Sequence, residues 1–126
     1  MYIFYNPNPL GKKTTDCVVR ALSKVFNVDW ITAYDMIDAI VREEYEMPSS
    51  NTLWEEVLLR NGFEKKLLPH TCPRCITVRQ FSKMFPNDIY VVCTGSHVVA
   101  VEYGDFFDAW DSGDEVVSYY FQARTQ

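Results

Sequence analysis

Four cysteines and two histidines are the side chains of this 126-residue chain best suited to nucleophilic or metal chemistry. Cys17 follows Asp16, a favourable N-cap residue, and the apolar stripe after it predicts a helix over residues 17–26. A thiol in the first turn of a helix faces unpaired backbone N–H groups and the positive end of the helix dipole, and both favour the thiolate. Cys17 is therefore a candidate nucleophile, although cysteine is also a common small core residue.

His97 is the candidate base for this thiol. It follows the turn-forming Thr94-Gly95-Ser96 and opens an apolar run that predicts a strand. A histidine at the start of that strand stands at the edge of the sheet, where it can face the N-terminus of a helix packed on the sheet. The alternative is a histidine that only satisfies its hydrogen bonds near the end of a sheet.

A carboxylate is needed to orient the imidazole, and two candidates follow His97. A hairpin turn centred near Gly104-Asp105 would place Asp111 opposite or diagonal to His97. Asp108 would then lie further along the strand, so Asp111 is the predicted partner. An irregular turn would reverse this choice, and Asp111 alternatively only begins the Asp-Ser-Gly turn.

The elements that must position these groups change character along the chain. Apolar residues at helical spacing come first, and alternating or continuous β-branched and aromatic runs follow. Further helices are predicted from an Asp29 cap to before Pro48, over 51–61 and over 77–85, and strands over 89–93, 97–103, 105–111 and 115–122. This order predicts an α+β fold with N-terminal helices packed on a C-terminal antiparallel sheet. Arg20 is predicted to face outward and to pair with Asp16, in preference to binding a substrate carboxylate.

Length, net charge and the distribution of apolar residues exclude several classes of protein. The length predicts a single domain over residues 1–126. A net charge of −5 without a basic cluster argues against nucleic-acid binding. The N-terminus lacks the features of a signal peptide and no run of apolar residues is long enough to span a bilayer, so we expect a cytoplasmic protein with no membrane partner.

A second cysteine-rich segment offers a different chemistry. His70, Cys72 and Cys75 have spacing that suits half of a tetrahedral zinc site, and Cys93 is the remaining soft ligand. Because Cys93 is predicted to lie within a strand, no metal is expected, and the segment is interpreted as a loop with two thiols. The thiols are expected to be mostly reduced.

Three short segments resemble papain-like cysteine peptidases: Asp16-Cys17 opening a helix, Gly95 to Val101 opening a strand, and Trp110 to Gly113. The Asp-Cys pair is similar to bacteriocin-processing peptidase domains, and the chain as a whole resembles small bacterial and phage proteins that share an Asn-Pro…Asp-Cys-Val-x-Arg-Ala start. The resemblance implies a papain-like fold and a Cys17-His97-Asp111 triad without a cofactor. It also implies a thioester intermediate and hydrolysis of, or acyl transfer from, a protein or peptide substrate.

One position departs from that resemblance. Papain-like enzymes usually carry a glutamine about six residues before the nucleophile to bind the oxyanion, and Gly11 stands there in this chain. Asn6 and Asn8 are candidate replacement donors, although turn formation before proline is an equally good role for both. The alternative function is therefore a weak or inactive papain-like binding protein, such as a phage factor that targets a host protein.

Overall fold

The computed structural model describes residues 1–68 and 75–124. The first half of the chain carries one short strand, three helices and an edge strand: β1 Tyr2–Phe4, α1 Cys17–Phe26, α2 Trp30–Glu44, α3 Asn51–Arg60 and β2 Phe63–Leu67. The second half carries one helix and four strands: α4 Val78–Met84, β3 Ile89–Cys93, β4 Val98–Glu102, β5 Asp105–Asp108 and β6 Tyr119–Ala123. The chain is therefore α+β, as predicted.

The strands form a mixed sheet in the order β1-β5-β4-β3-β6-β2. β1 runs parallel to β5, and the other neighbours are antiparallel. The prediction of a C-terminal, antiparallel-only sheet is wrong, because strands from the first half of the chain occupy both edges. Both edge strands give weak signals: β1 has three residues, and β2 buries only Phe63.

Helices cover both faces of the sheet. The apolar sides of α1, α2 and α3 pack together with side chains of β3, β4 and β6 in one buried cluster, which includes Leu22, Ile37, Trp54, Leu58, Val91 and Phe121. α4 packs with the alternate residues of the same strands in a second cluster, which includes Phe81, Val92, Val99 and Phe106. β3 and β4 are buried almost continuously, with successive side chains in opposite clusters, which is the pattern expected for a sheet covered on both sides.

The helix ends agree in part with the predicted caps. The Asp29 carboxylate accepts a hydrogen bond from the Thr32 backbone N–H at 2.9 Å, and Gly62 after α3 has a φ of 89°. The predicted Asp29 cap is confirmed, and Gly62 adopts the left-handed conformation common after a helix. Asp16 precedes α1 as predicted, but its side chain makes no cap hydrogen bond.

The turn between β4 and β5 lies earlier than predicted. Its central residues are Tyr103 and Gly104, with φ values of 50° and 88°, and Glu102 pairs with Asp105. Two successive positive φ angles are typical of a type I′ hairpin turn, which usually has Asn or Gly at its first central position, so Tyr103 gave no such signal. This register places Asp108, at the end of β5, nearly level with the start of β4.

The cysteine-rich segment lies partly outside the described residues. His70 and Cys72 are among the residues not described, so nothing tests them as zinc ligands. Cys75 is disulfide-bonded, against the expectation of reduced thiols, whereas Cys17 and Cys93 are free. Across residues 1–68 and 75–124, no helix is long and apolar enough to cross a membrane.

Two adjacent leucines of α3 test the packing of the helices on the sheet. Leu58 is 0% exposed and Leu59 is 43% exposed. We expect Leu58→Ala to lower the free energy of unfolding by about 2–5 kcal/mol, because it removes buried methyl groups and leaves a cavity. Leu59→Ala is the control and should change it by less than about 1 kcal/mol. Urea denaturation followed by circular dichroism measures both, and equal effects would contradict this packing.

Candidate active site

Cys17 is the first residue of α1 and lies, partly exposed, at a cleft of about 410 Å³. Four segments line this cleft: the N-terminus of α1, the N-terminus of α3 with the residues before it, the turn between β3 and β4, and the start of β6 at Tyr119. The side chain of His97 comes from that turn. The two groups predicted from sequence to work together therefore share one cleft.

The Cys17 thiol and the His97 imidazole lie close enough in the cleft for each to shift the pKa of the other. Burial alone would raise the pKa of Cys17, but hydrogen bonding to His97 and its positive charge, together with the Val98 backbone, outweigh burial, so the pKa is lowered. Burial opposes protonation of His97, yet its bonds to Asp108 and Cys17 raise its pKa to about 9. These opposite shifts favour a thiolate–imidazolium pair at neutral pH.

Asp108 is the carboxylate that orients His97. Its Oδ2 accepts the hydrogen bond of His97 Nε2 at 2.6 Å and that of the Ser112 hydroxyl, also at 2.6 Å. Asp108 is 0% exposed. Burial alone would raise its pKa, but the hydrogen bonds from His97 and Ser112 and the nearby positive charges lower it, so the carboxylate is ionised. With Nε2 held by Asp108, Nδ1 is the ring nitrogen left for Cys17.

Asp111, the predicted partner of His97, lies elsewhere. Its carboxylate binds the guanidinium of Arg79 at 3.0 Å and accepts the Gly113 backbone N–H at 3.0 Å. Its side chain is 48% exposed. The choice of Asp111 is corrected to Asp108, because the turn after β4 is centred earlier and Asp108 then lies diagonal to His97. Asp111 does begin the Asp-Ser-Gly turn, which was the alternative role.

Arg20 and Asp16 are buried beside this site. Arg20 binds the carboxylates of Asp16 at 2.8 Å and Asp108 at 2.9 Å. The expected pair with Asp16 is present, but the outward orientation of Arg20 was wrong. A charged residue on an otherwise apolar helix is usually solvated, so nothing in the local pattern showed that this arginine would be buried.

The predicted oxyanion donors do not reach the cleft. The Asn6 amide donates to the Lys12 carbonyl at 3.2 Å, and the Asn8 carbonyl oxygen accepts the Leu10 backbone N–H at 3.0 Å. Both residues hold the loop before α1, and neither lines the cleft. Their alternative role as turn residues is the one observed.

Two helix N-termini point into the cleft without side-chain caps. Asp16 does not cap α1, and Ser50 does not cap α3 because its hydroxyl pairs with that of Thr52 at 2.9 Å. Cys17 and Asn51, the first residues of these helices, both line the cleft. Uncapped N–H groups and the positive ends of two dipoles favour negative charge there.

Two further groups shape the site. The indole of Trp110 packs against the His97 ring with 5.0 Å between ring centroids, which restricts rotation of the imidazole. Cys93 also lines the cleft, but burial raises its pKa. Cys93 is therefore a poor nucleophile beside Cys17.

Within the described ranges, no three His, Cys, Asp or Glu side chains are grouped to hold a metal ion.

The shifted pKa values predict how thiol reactivity depends on pH. Alkylation of Cys17 by iodoacetamide should stay fast to a lower pH than alkylation of an ordinary thiol, and should slow as the pH falls through its lowered pKa. His97→Gln removes the hydrogen bond and the positive charge, so the Cys17 pKa should rise and the rate at pH 6 should fall about tenfold or more.

Peptide mapping by mass spectrometry identifies the alkylated thiol in this experiment. Cys93→Ser is the control and should leave the fast reaction unchanged, because the Cys93 thiol stays protonated across this range. Equal, slow alkylation of Cys17 and Cys93 in the wild-type protein would contradict the ion pair.

No protein-family model, curated protein or solved structure matches this chain. The chemistry of the cleft is therefore inferred from its own side chains, distances and charges.

Proposed function

We propose that this protein is a cysteine hydrolase of papain-like fold, in which Cys17 is the nucleophile, His97 the base and Asp108 the orienting carboxylate. The line of contacts from the Cys17 thiol through His97 to Asp108, with a hydrogen bond of 2.6 Å between Nε2 and Oδ2, carries the proposal. A buried carboxylate holds the imidazole in the tautomer that faces the thiol, and the cleft gives an acyl group access to the sulfur.

The reaction follows from these groups. His97 takes the Cys17 proton, and the sulfur attacks the acyl carbonyl carbon while the C=O electron pair moves onto oxygen. The tetrahedral intermediate expels the amine, which leaves with the proton from His97, and a thioester to Cys17 remains. Water, deprotonated by His97, then attacks the thioester, and the carboxylic acid and the Cys17 thiolate are released. An amine in place of water would give acyl transfer.

The oxyanion has two sources of stabilisation in this cleft. The backbone N–H of Cys17 lies at the uncapped N-terminus of α1, where negative charge is favoured. The Asn51 carbonyl oxygen accepts the Trp54 indole N–H at 3.1 Å, which leaves the amide N–H₂ end available to the cleft. We infer that Asn51 replaces the glutamine that Gly11 does not supply.

The substrate is expected to be a protein or peptide that presents an uncharged segment to the sulfur. No Asp, Glu, Lys or Arg side chain is among the described residues that line the cleft. Part of the cleft wall is formed by small or polar residues, namely Thr94, Gly95 and Ser96. The reaction also requires a reduced thiol, which a cytoplasmic location would maintain.

A binding protein on the same fold is the second candidate. Asn6 and Asn8 hold their own loop, and Gly11 carries no amide side chain, so the donors usual for this chemistry are missing. Loss of one oxyanion donor costs roughly 3 kcal/mol of transition-state stabilisation. Such a protein, for example a phage factor that binds a host protein, would keep the reactive thiol but turn over slowly.

The orienting carboxylate is tested with p-nitrophenyl acetate, which acetylates a reactive thiol and releases coloured p-nitrophenolate. We expect a burst that acetylates Cys17, followed by steady turnover. Asp108→Asn should slow the burst by roughly 100-fold or more, because a neutral amide at this position cannot stabilise the imidazolium. Asp111→Asn is the matched control and should keep the wild-type rate, since Asp111 contacts Arg79 instead.

Circular dichroism should first show that both variants are folded. A slow burst in Asp111→Asn with a normal burst in Asp108→Asn would contradict the assignment. A burst without further turnover would favour the binding protein, because the thioester would then form without being hydrolysed.

Asn51 is tested in the same assay. Asn51→Asp keeps an oxygen acceptor for the Trp54 indole but replaces the donor with a negative charge, so we expect acylation to slow by about 100-fold or more. Asn87→Asp, the same change at an exposed position that does not line the cleft, is the control and should leave the rate unchanged. An unchanged rate in Asn51→Asp would remove Asn51 from the site.

A further inference from the structure

Arg20 is the most deeply buried cation described in this chain. It is 4% exposed, and its two terminal nitrogens bind two different carboxylates: Nη1 binds Asp16 Oδ1 at 2.8 Å and Nη2 binds Asp108 Oδ1 at 2.9 Å. A buried charge costs several kcal/mol unless it is well paired. Arg20 pairs with a carboxylate at each nitrogen, so its burial constrains where both carboxylates must lie.

The Asp108 carboxylate has no rotational freedom in this arrangement. Oδ1 accepts from Arg20 and from the Ala109 backbone N–H at 2.8 Å, while Oδ2 accepts from His97 and Ser112. Because Arg20 holds Oδ1, only Oδ2 is presented to the imidazole. The orientation of His97 therefore depends on the position of Arg20.

Arg20 is itself held in place by Asp16. Asp16 binds Arg20 through Oδ1 and accepts the Trp30 indole N–H at 2.8 Å through Oδ2. These bonds use the carboxylate that would otherwise cap α1. Arg20 and Cys17 lie one turn apart on the same helix. The helix therefore fixes the position of the thiol relative to the guanidinium that binds Asp108.

We propose that Arg20 is a positioning residue of the site, which holds the Asp108 carboxylate in the one orientation that serves His97 and Cys17. The inference rests on the proposed function of those three residues. Charges alternate along the chain of contacts from Asp16 through Arg20, Asp108 and His97 to Cys17.

The other charged groups near this chain are engaged elsewhere. Lys24, one turn beyond Arg20 on α1, pairs with Glu102 of β4 at 3.3 Å. Asp111 is held by Arg79. The positive charge of Arg20 contributes to lowering the pKa of both Asp108 and Cys17, against the effect of burial. A change at Arg20 should therefore appear in the pH dependence of Cys17.

The test replaces the forked guanidinium while keeping its charge. Arg20→Lys places one nitrogen where two are needed, so it cannot hold Asp16 and Asp108 in their present positions. We expect the midpoint of Cys17 alkylation by iodoacetamide to move to higher pH, and acylation by p-nitrophenyl acetate to slow about tenfold or more. Arg60→Lys is the matched control, because Arg60 also bridges two carboxylates but is exposed and remote. It should change neither quantity.

A double variant covers the case in which Arg20→Lys does not fold. Asp16→Asn with Arg20→Gln removes a positive and a negative charge together and leaves Asp108 with His97, Ser112 and the Ala109 N–H. It should show the same shift of the alkylation midpoint.

A folded Arg20 variant with the wild-type profile would overturn the positioning role while leaving the triad intact. Failure of both variants to fold would also overturn it, since Arg20 would then be needed for the fold alone. If the wild-type protein has no low-pKa thiol, the proposed function itself fails, whatever the Arg20 variants do.

Discussion

The ion pair between Arg20 and Asp108 is the interaction on which the rest of the site depends. Arg20 belongs to α1 and Asp108 ends β5, and both side chains are buried. Breaking such a pair from one side leaves an unpaired charge in a medium that solvates it poorly, at a cost of about 3–5 kcal/mol. The helix and the strand are therefore held in one relative position. That position also brings the thiol at the start of α1 to the imidazole before β4.

The same contacts explain why the N-terminus of α1 is left open. An Asp16 cap would stabilise the helix by about 1 kcal/mol. Its carboxylate instead binds Arg20 and the Trp30 indole, in bonds with little access to water. The first N–H groups of α1 then face the cleft without a side-chain acceptor, which favours a thiolate and an oxyanion there. The missing cap at the helix end is offset by the bonds of Asp16 to Arg20 and Trp30, and it serves the chemistry of the cleft.

Local sequence patterns predicted the helices, strands β3 to β6 and two members of the site. Helical periodicity indicated the bounds of α1, and a turn before an apolar strand placed His97 at the start of β4. The burial of Arg20 was not predictable, because a basic residue on a helix gives no sign of a partner near the other end of the chain. β1 was not predicted for a related reason. It has only three residues, and its partner strand β5 also lies near the other end of the chain.

The choice between Asp108 and Asp111 was decided by an exposed turn far from the cleft. Tyr103 adopts a φ of 50°, a conformation that costs a non-glycine residue roughly 1–2 kcal/mol. Its backbone N–H donates to the Asp88 carbonyl at 3.0 Å, which fixes the turn in place. Because register in a hairpin follows the turn, centring it at Tyr103-Gly104 sets which carboxylate lies diagonal to His97. A strained tyrosine at one end of β4 thus determines which carboxylate meets the histidine at the other end.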